Sequence, residues 1–167
     1  MTARPPRAPR SPRPEGLDAI DRAILRVLQR DGRTPNSVVA ESIHLSPSAC
    51  HRRVARLEAA GVIRGYAALV DPKAAGRRST VFVEITLQGQ TTELLDAFER
   101  AVALVPEVLE CHLMAGTADY LLKIAARDPD DFARLHREAL ARLPGVAKMQ
   151  SSFSLKVVRS TQVLPLD

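Results

Sequence analysis

The run Ser46 to Gly61, SPSACHRRVARLEAAG, places short hydroxyl side chains one helical turn ahead of His51, Arg52, Arg53 and Arg56. Those residue types at that spacing suit a helix that grips double-stranded DNA. Small polar groups near a helix N-terminus reach base edges in the major groove, and arginine chelates guanine or neutralises phosphate. Cys50, Val54 and Leu57 recur at i, i+4 and i+7 and predict a buried face. The opposite face then shows Ser48, His51, Arg52 and Ala55, with Arg53 and Arg56 on its flanks. The candidate DNA contacts are Ser46, Pro47, Ser48, His51, Arg52, Arg53 and Arg56. A solvated helix face has the same look, so the neighbouring elements must decide.

Those elements point to a helix-turn-helix. Leu17 to Arg30 reads as a helix with Asp18 as its cap and Ile20, Ile24, Val27 and Leu28 on one stripe, stopped by Gly32. Thr34-Pro35 predicts a second helix that starts on the proline and runs to about Ile43. His44-Leu45 is a short turn, and Ser46-Pro47 opens the third helix. Beyond Gly61 the period changes. Val62-Ile63 and Tyr66 to Val70 read as short strands, and Pro72 to Arg78 as a linker. Ser79 to Leu87 alternates as a strand, and Thr91 to Val102 is helical. Val108 to Ala115 and Tyr120 to Ala126 are strands around a turn at 116–118. Asp128-Pro129 caps a helix that ends at Pro144-Gly145, and Val146 to Val158 is the last strand. The order β-α-β-β-α-β is that of a split βαβ sandwich. The expected division is a basic arm over 1–15, a helix-turn-helix over 16–65, a strand and linker over 66–78, the sheet domain over 79–160 and a tail over 161–167.

Charge agrees with a nucleic-acid partner. The net charge is +5, and its placement carries the information. Residues 1–15 hold four arginines against Glu15, and residues 16–65 hold eight arginines against five acids. The remainder holds twelve bases against thirteen acids, so the excess lies wholly in the first 65 residues. The arm MTARPPRAPRSPRPE is too rich in proline and arginine to build a core, and it reads as a disordered tail or as a phosphate-touching extension. Hydrophobic residues at 46% are enough for a core. No apolar run approaches the ~20 residues of a membrane span, and no apolar stretch follows the N-terminal charge as in a secretory signal. Only Cys50 and Cys111 occur, which suits a reducing cytoplasm better than a disulfide framework.

Enzymatic chemistry finds little support. There are no paired catalytic carboxylates, no Ser-His-Asp set and no glycine loop for phosphate, and no cofactor is expected. Cys50-His51 and Cys111-His112 resemble metal pairs only superficially. Adjacent residues on a helix or strand point apart, so no metal site is expected. Among enzymatic groups His112 beside Cys111 is the best nucleophile candidate and has no evident partner. A ligand-independent architectural DNA-binding protein is the other alternative.

The segments LDAIDRAILRVLQRDGR, LSPSACHRRVARLEAAGVIRGYAALVDP, VFVEITL, ECHLMAGTADYLLK and LARLPGV occur in order across about residues 17–158. In them the chain resembles the Lrp/AsnC, or feast/famine, family of transcription regulators. The resemblance implies an α+β protein: a winged helix-turn-helix followed by a ferredoxin-like βαββαβ domain. It implies homodimers built on the sheet domain, often assembled to octamers, and amino-acid effectors bound between subunits. It also places the effector near a Gly-x-x-Asp-Tyr turn, here Gly116 to Tyr120. The implied contacts are Leu113, Met114, Ala115, Gly116, Thr117, Asp119 and Tyr120, with the Asp119 carboxylate taking the α-ammonium group. Read without the resemblance, the same turn is an ordinary tight hairpin. Thr117 is uncharged where many family members carry an acid or other polar residue, and Ser151 to Ser154 is a polar run. The first implies a different ligand preference, and the second points away from leucine as the ligand.

Overall fold

Asp18 starts the first helix, α1 (Ala19–Leu28), through a reciprocal capping box. The Asp21 backbone amide donates to Asp18 Oδ1 at 2.7 Å, and the Asp18 amide donates to Asp21 Oδ2 at 3.3 Å. The second helix, α2 (Asn36–Ser42), begins one residue later than the sequence predicts: Pro35 is its cap and no side chain caps it. The Thr34 hydroxyl is spent instead on the Asp31 carbonyl at 2.8 Å. The third helix, α3 (Pro47–Ala59), has Pro47 in its first turn and Ser46 as its cap. Between them His44 takes a left-handed φ of 56°, which folds the chain back sharply. Ile24, Leu25, Val39, Ala40, Cys50 and Leu57 form the core of these helices.

The computed structural model describes residues 16–166, so the arm expected over 1–15 lies outside the described residues. The chain folds as two units. One comprises the described residues up to Ala68 together with those from Ser160 onward, and the other is Leu69–Arg159. The segment after Ser160 is therefore no simple tail. The Gln29 side chain exchanges hydrogen bonds with the Leu164 backbone at 2.6 and 3.3 Å, and the Arg26 guanidinium donates to the Leu166 carbonyl at 2.8 Å. Leu166 packs against the helical core.

Two expected short strands are absent: residues 61–78 contain no strand, so the stretch after α3 shows no strand pairing. Val62 and Ile63 are used as packing against the helical core. Tyr66 is tied through its hydroxyl to Glu58 at 2.9 Å, and Leu69 and Val70 stand exposed with no strand beside them to pair.

The second unit is a four-stranded antiparallel sheet. Its strands are β1 (Ser79–Leu87), β2 (Val108–Leu113), β3 (Tyr120–Ala126) and β4 (Val146–Phe153), in the order β2-β3-β1-β4. Helices α4 (Thr92–Val102) and α5 (Pro129–Glu138) supply the two crossovers, as a split βαβ sandwich requires. Val81, Val83, Ile85 and Leu87 of β1 share a buried layer with Tyr120, Leu122, Ile124 and Ala126 of β3. Phe98, Phe132 and Leu135 from the helices close that layer.

The ends of α5 and of β4 differ from the sequence expectation. α5 stops at Glu138, and a 3-10 turn over Leu140–Arg142 carries Leu140 and Leu143 into the core. β4 ends at Phe153 rather than Val158, because the Ser154 amide makes the last rung, to the Thr80 carbonyl at 2.9 Å. The helices cover one face of the sheet. Register places Phe82, Glu84, Leu121, Lys123, Glu110, His112, Lys148 and Gln150 on the other. That open face is more polar than the alternation of apolar residues in β1 suggests. No described helix is long and apolar enough to cross a membrane.

Candidate functional site

The fold puts Ser46, Pro47, Ser48, His51 and Arg52 on the exposed side of α3, while Cys50 and Leu57 are buried on the other. Ser46 caps the helix by accepting from the Ala49 amide at 3.3 Å, and its hydroxyl lies 3.2 Å from that of Ser48. Asn36 donates from its side chain to the Pro47 carbonyl at 2.8 Å, so the start of α2 pins the start of α3. Among the described residues Arg52 has no ion pair, and it stands exposed beside His51.

Arg53 and Arg56, expected on the flanks of that face, have partners within the chain. Both turn toward α1 and close on Asp21, whose side chain is only 3% exposed. Arg53 Nη1 lies 2.9 Å from Asp21 Oδ1 and 2.6 Å from Asp18 Oδ2. Arg56 Nη2 reaches both Asp21 oxygens, at 2.6 and 2.5 Å. The capping amide of Asp21 and the Arg53 guanidinium hold the Asp18 carboxyl below its ordinary range. Sequence reasoning missed this cluster. Its signal was available: Asp21 lies on the same helical stripe as Ile24 and Leu28, so α1 turns a carboxylate inward. A buried carboxylate needs paired, hydrogen-bonded cations.

The turn between β2 and β3 also departs from expectation. Met114, Ala115, Gly116 and Thr117 are exposed, as is Leu113 at the end of β2. Asp119 and Tyr120 are not. Asp119 is 8% exposed and both of its oxygens are occupied. One accepts from the Leu87 backbone amide at 2.7 Å and the other from the Gln90 side chain at 2.6 Å. That carboxylate therefore already ties together parts of its own chain, a role the sequence expectation did not include. Tyr120 is buried against Phe98, ring centroids 4.5 Å apart, and donates its hydroxyl to Glu99 at 2.8 Å. Burial and the Glu99 carboxylate together push its phenol well above the usual range. At Gly116 an added Cβ would meet nothing within 4 Å, so nothing inside this chain demands a glycine there.

Beside that turn a groove of about 450 Å³ runs between α4 and β2. Val102, Leu109 and Leu113 give it apolar walls, and Glu99, Cys111 and Tyr120 line it as well. Cys111 is exposed to solvent, yet desolvation by the groove around it, and then Glu99, raise its thiol, which disfavours the thiolate a nucleophile needs. Cys111 and His112 are consecutive on β2 and face opposite sides of the sheet, and His112 Nε2 lies 3.2 Å from Glu110. They do not form a catalytic pair. Cys50 is buried while its neighbour His51 is exposed, and no group of metal-ligating side chains is found among the described residues.

Comparison with known proteins adds the deciding observation. Residues 17–58 match the AsnC-type helix-turn-helix domain, and residues 80–164 match the Lrp/AsnC ligand binding domain. The chain belongs to the Lrp/AsnC family. It is 41% identical over 148 residues to the leucine-responsive regulatory protein of Escherichia coli K12, covering 89% of this chain and 90% of that protein. It is 50% identical over 116 residues to an HTH-type transcriptional regulator of Sinorhizobium fredii, covering 70% of this chain and 91% of that one. Among solved structures, a Neisseria meningitidis transcriptional regulator in complex with L-methionine superposes with a TM-score of 0.85 at 38% identity, covering 91% of this chain and 98% of that chain. The Lrp/AsnC relatives are transcriptional regulators, and this chain carries the two domains that define the family.

Proposed function

We propose that this Lrp/AsnC regulator reads operator DNA with Ser46, Pro47, Ser48, His51 and Arg52, and that a small amino acid bound at its sheet unit modulates that binding. The observation that carries the DNA reading is the exposed face of α3. It is rich in small polar groups near the helix start, has one arginine without an ion pair, and sits on a helix pinned by its neighbours. For the effector, the turn over Met114, Ala115, Gly116 and Thr117 supplies backbone groups beside an open glycine, and the adjoining groove offers apolar walls to a side chain. The Neisseria relative was solved with L-methionine, which supports an apolar amino acid as the class. Assembly as a homodimer, and further to an octamer, is the reading that brings a second copy to the sheet unit, where Phe82 and Leu121 give the open face an apolar centre. Its two free cysteines fit action in the cytoplasm.

The test is a DNA-binding titration. Arg52→Ala lowers operator affinity by about 1–3 kcal/mol and relaxes specificity at one base position while the fold is kept. Equal binding by Arg52→Ala and the parent overturns the assignment of this face. A thermal-shift screen of the amino acids identifies the effector, since a ligand at ~100 times its Kd adds about 2.7 kcal/mol. A protein that no amino acid stabilises counts against the effector reading.

A further inference from the structure

The Asp21 cluster does more than join two helices. α3 carries three arginines within five residues, and any cation on a DNA-facing helix tends to bind phosphate regardless of sequence. Such contacts add affinity for every duplex and dilute discrimination. Here two of the three are committed elsewhere. Arg56 engages both oxygens of Asp21, and Arg53 bridges Asp21 and Asp18. Asp21 is buried and needs these partners, whereas Arg56 is still 55% exposed at its side chain and within reach of solvent. Asp21 and a DNA phosphate are therefore rival anions for the same guanidiniums.

We propose that Asp21 is a specificity-determining positioning residue: it withholds Arg53 and Arg56 from phosphate and leaves the reading of DNA to Ser48, His51 and Arg52. This rests on the DNA-facing reading of α3. Losing the carboxylate would free Arg56 onto the helix flank and leave Arg53 held by Asp18 alone. Binding to unrelated sequence would rise more than binding to the operator, and the ratio between them would fall.

The experiment uses the full chain and two duplexes of equal length, one holding the operator selected by the parent protein and one scrambled. Affinities are measured by fluorescence anisotropy at several salt concentrations for the parent, Asp21→Asn, Arg53→Gln, Arg56→Gln and Arg52→Ala, with circular dichroism as the check on folding. Arg53→Gln and Arg56→Gln are expected to keep the parent's log–log salt slope on the scrambled duplex. Asp21→Asn is expected to steepen it by up to about 0.9 for each arginine released, and to lower the operator-to-scrambled ratio. A slope flattened by about 0.9 in either glutamine variant shows that arginine already on phosphate and overturns the proposal. So does a folded Asp21→Asn protein with the parent's slope and ratio. If Asp21→Asn fails to fold, the glutamine variants decide the matter. Parent-like operator binding by Arg52→Ala overturns the reading of the helix face instead, so the two failures are distinct.

Discussion

Asp119 sets one carboxylate oxygen 2.7 Å from the backbone nitrogen of Leu87, tying the turn before β3 to the end of β1. Its own amide donates to the Ile85 carbonyl at 2.9 Å, so the residue closes the connection from both sides. Asp119→Ala leaves the Leu87 amide without its partner in a buried place. The expected loss is about 1–3 kcal/mol of stability, read from urea denaturation. Unchanged stability with a lost amino-acid response would return Asp119 to the effector.

Acid should weaken the sheet unit in a defined window. The Arg127 guanidinium first, then its backbone amide and Arg134, hold the Asp131 carboxyl far below its ordinary 3.8. Lys123 and His112 do the same to a smaller extent for Glu110. The unfolded chain takes up these protons first, so their stabilising effect is present above the ordinary value and is lost as pH falls below it. Asp131→Asn should therefore lower stability at neutral pH and show a shallower decline in acid, measured as the urea midpoint against pH.

Gly145 adopts a φ of 71°, and a Cβ there would overlap the Leu94 side chain. Gly145→Ala should cost about 1–3 kcal/mol, from backbone strain and overpacking together. Adding Leu94→Ala should relieve only the overpacking part, which a double-mutant cycle resolves.

The segment after Ser160 should stabilise the helical unit alone. Truncation after Arg159 removes the bonds to Arg26 and Gln29 and the packing of Leu166. The expected cost is about 1–3 kcal/mol, with the loss confined to amides of α1 to α3 in hydrogen exchange. Protection lost equally in β1 and β3 would contradict it.

Elements with a strong period and a cap were legible in the sequence. α3 and α5 start where Ser46 and Asp128 place them, α4 starts one residue after the expected Thr91, and β1 alternates as read. Elements whose state depends on a partner were not. Val62 and Ile63 have strand-forming side chains, but burial against three helices used them instead. The site was legible in its outward face, since helical period fixes which residues point away from the core. The destinations of Arg53, Arg56 and Asp119 were not legible. Each depends on a contact with residues 29 to 35 positions away in sequence, which no local pattern reports.

The helical unit is stitched from two stretches of chain that the whole sheet unit separates in sequence. This makes its completion a matter of time as well as energy. A ribosome adds roughly 5–20 residues per second, so the three helices wait on the order of ten seconds for the strand-free segment that braces α1. During that interval Arg26 and Gln29 have water in place of their later partners. The helical unit, although begun first, is finished last.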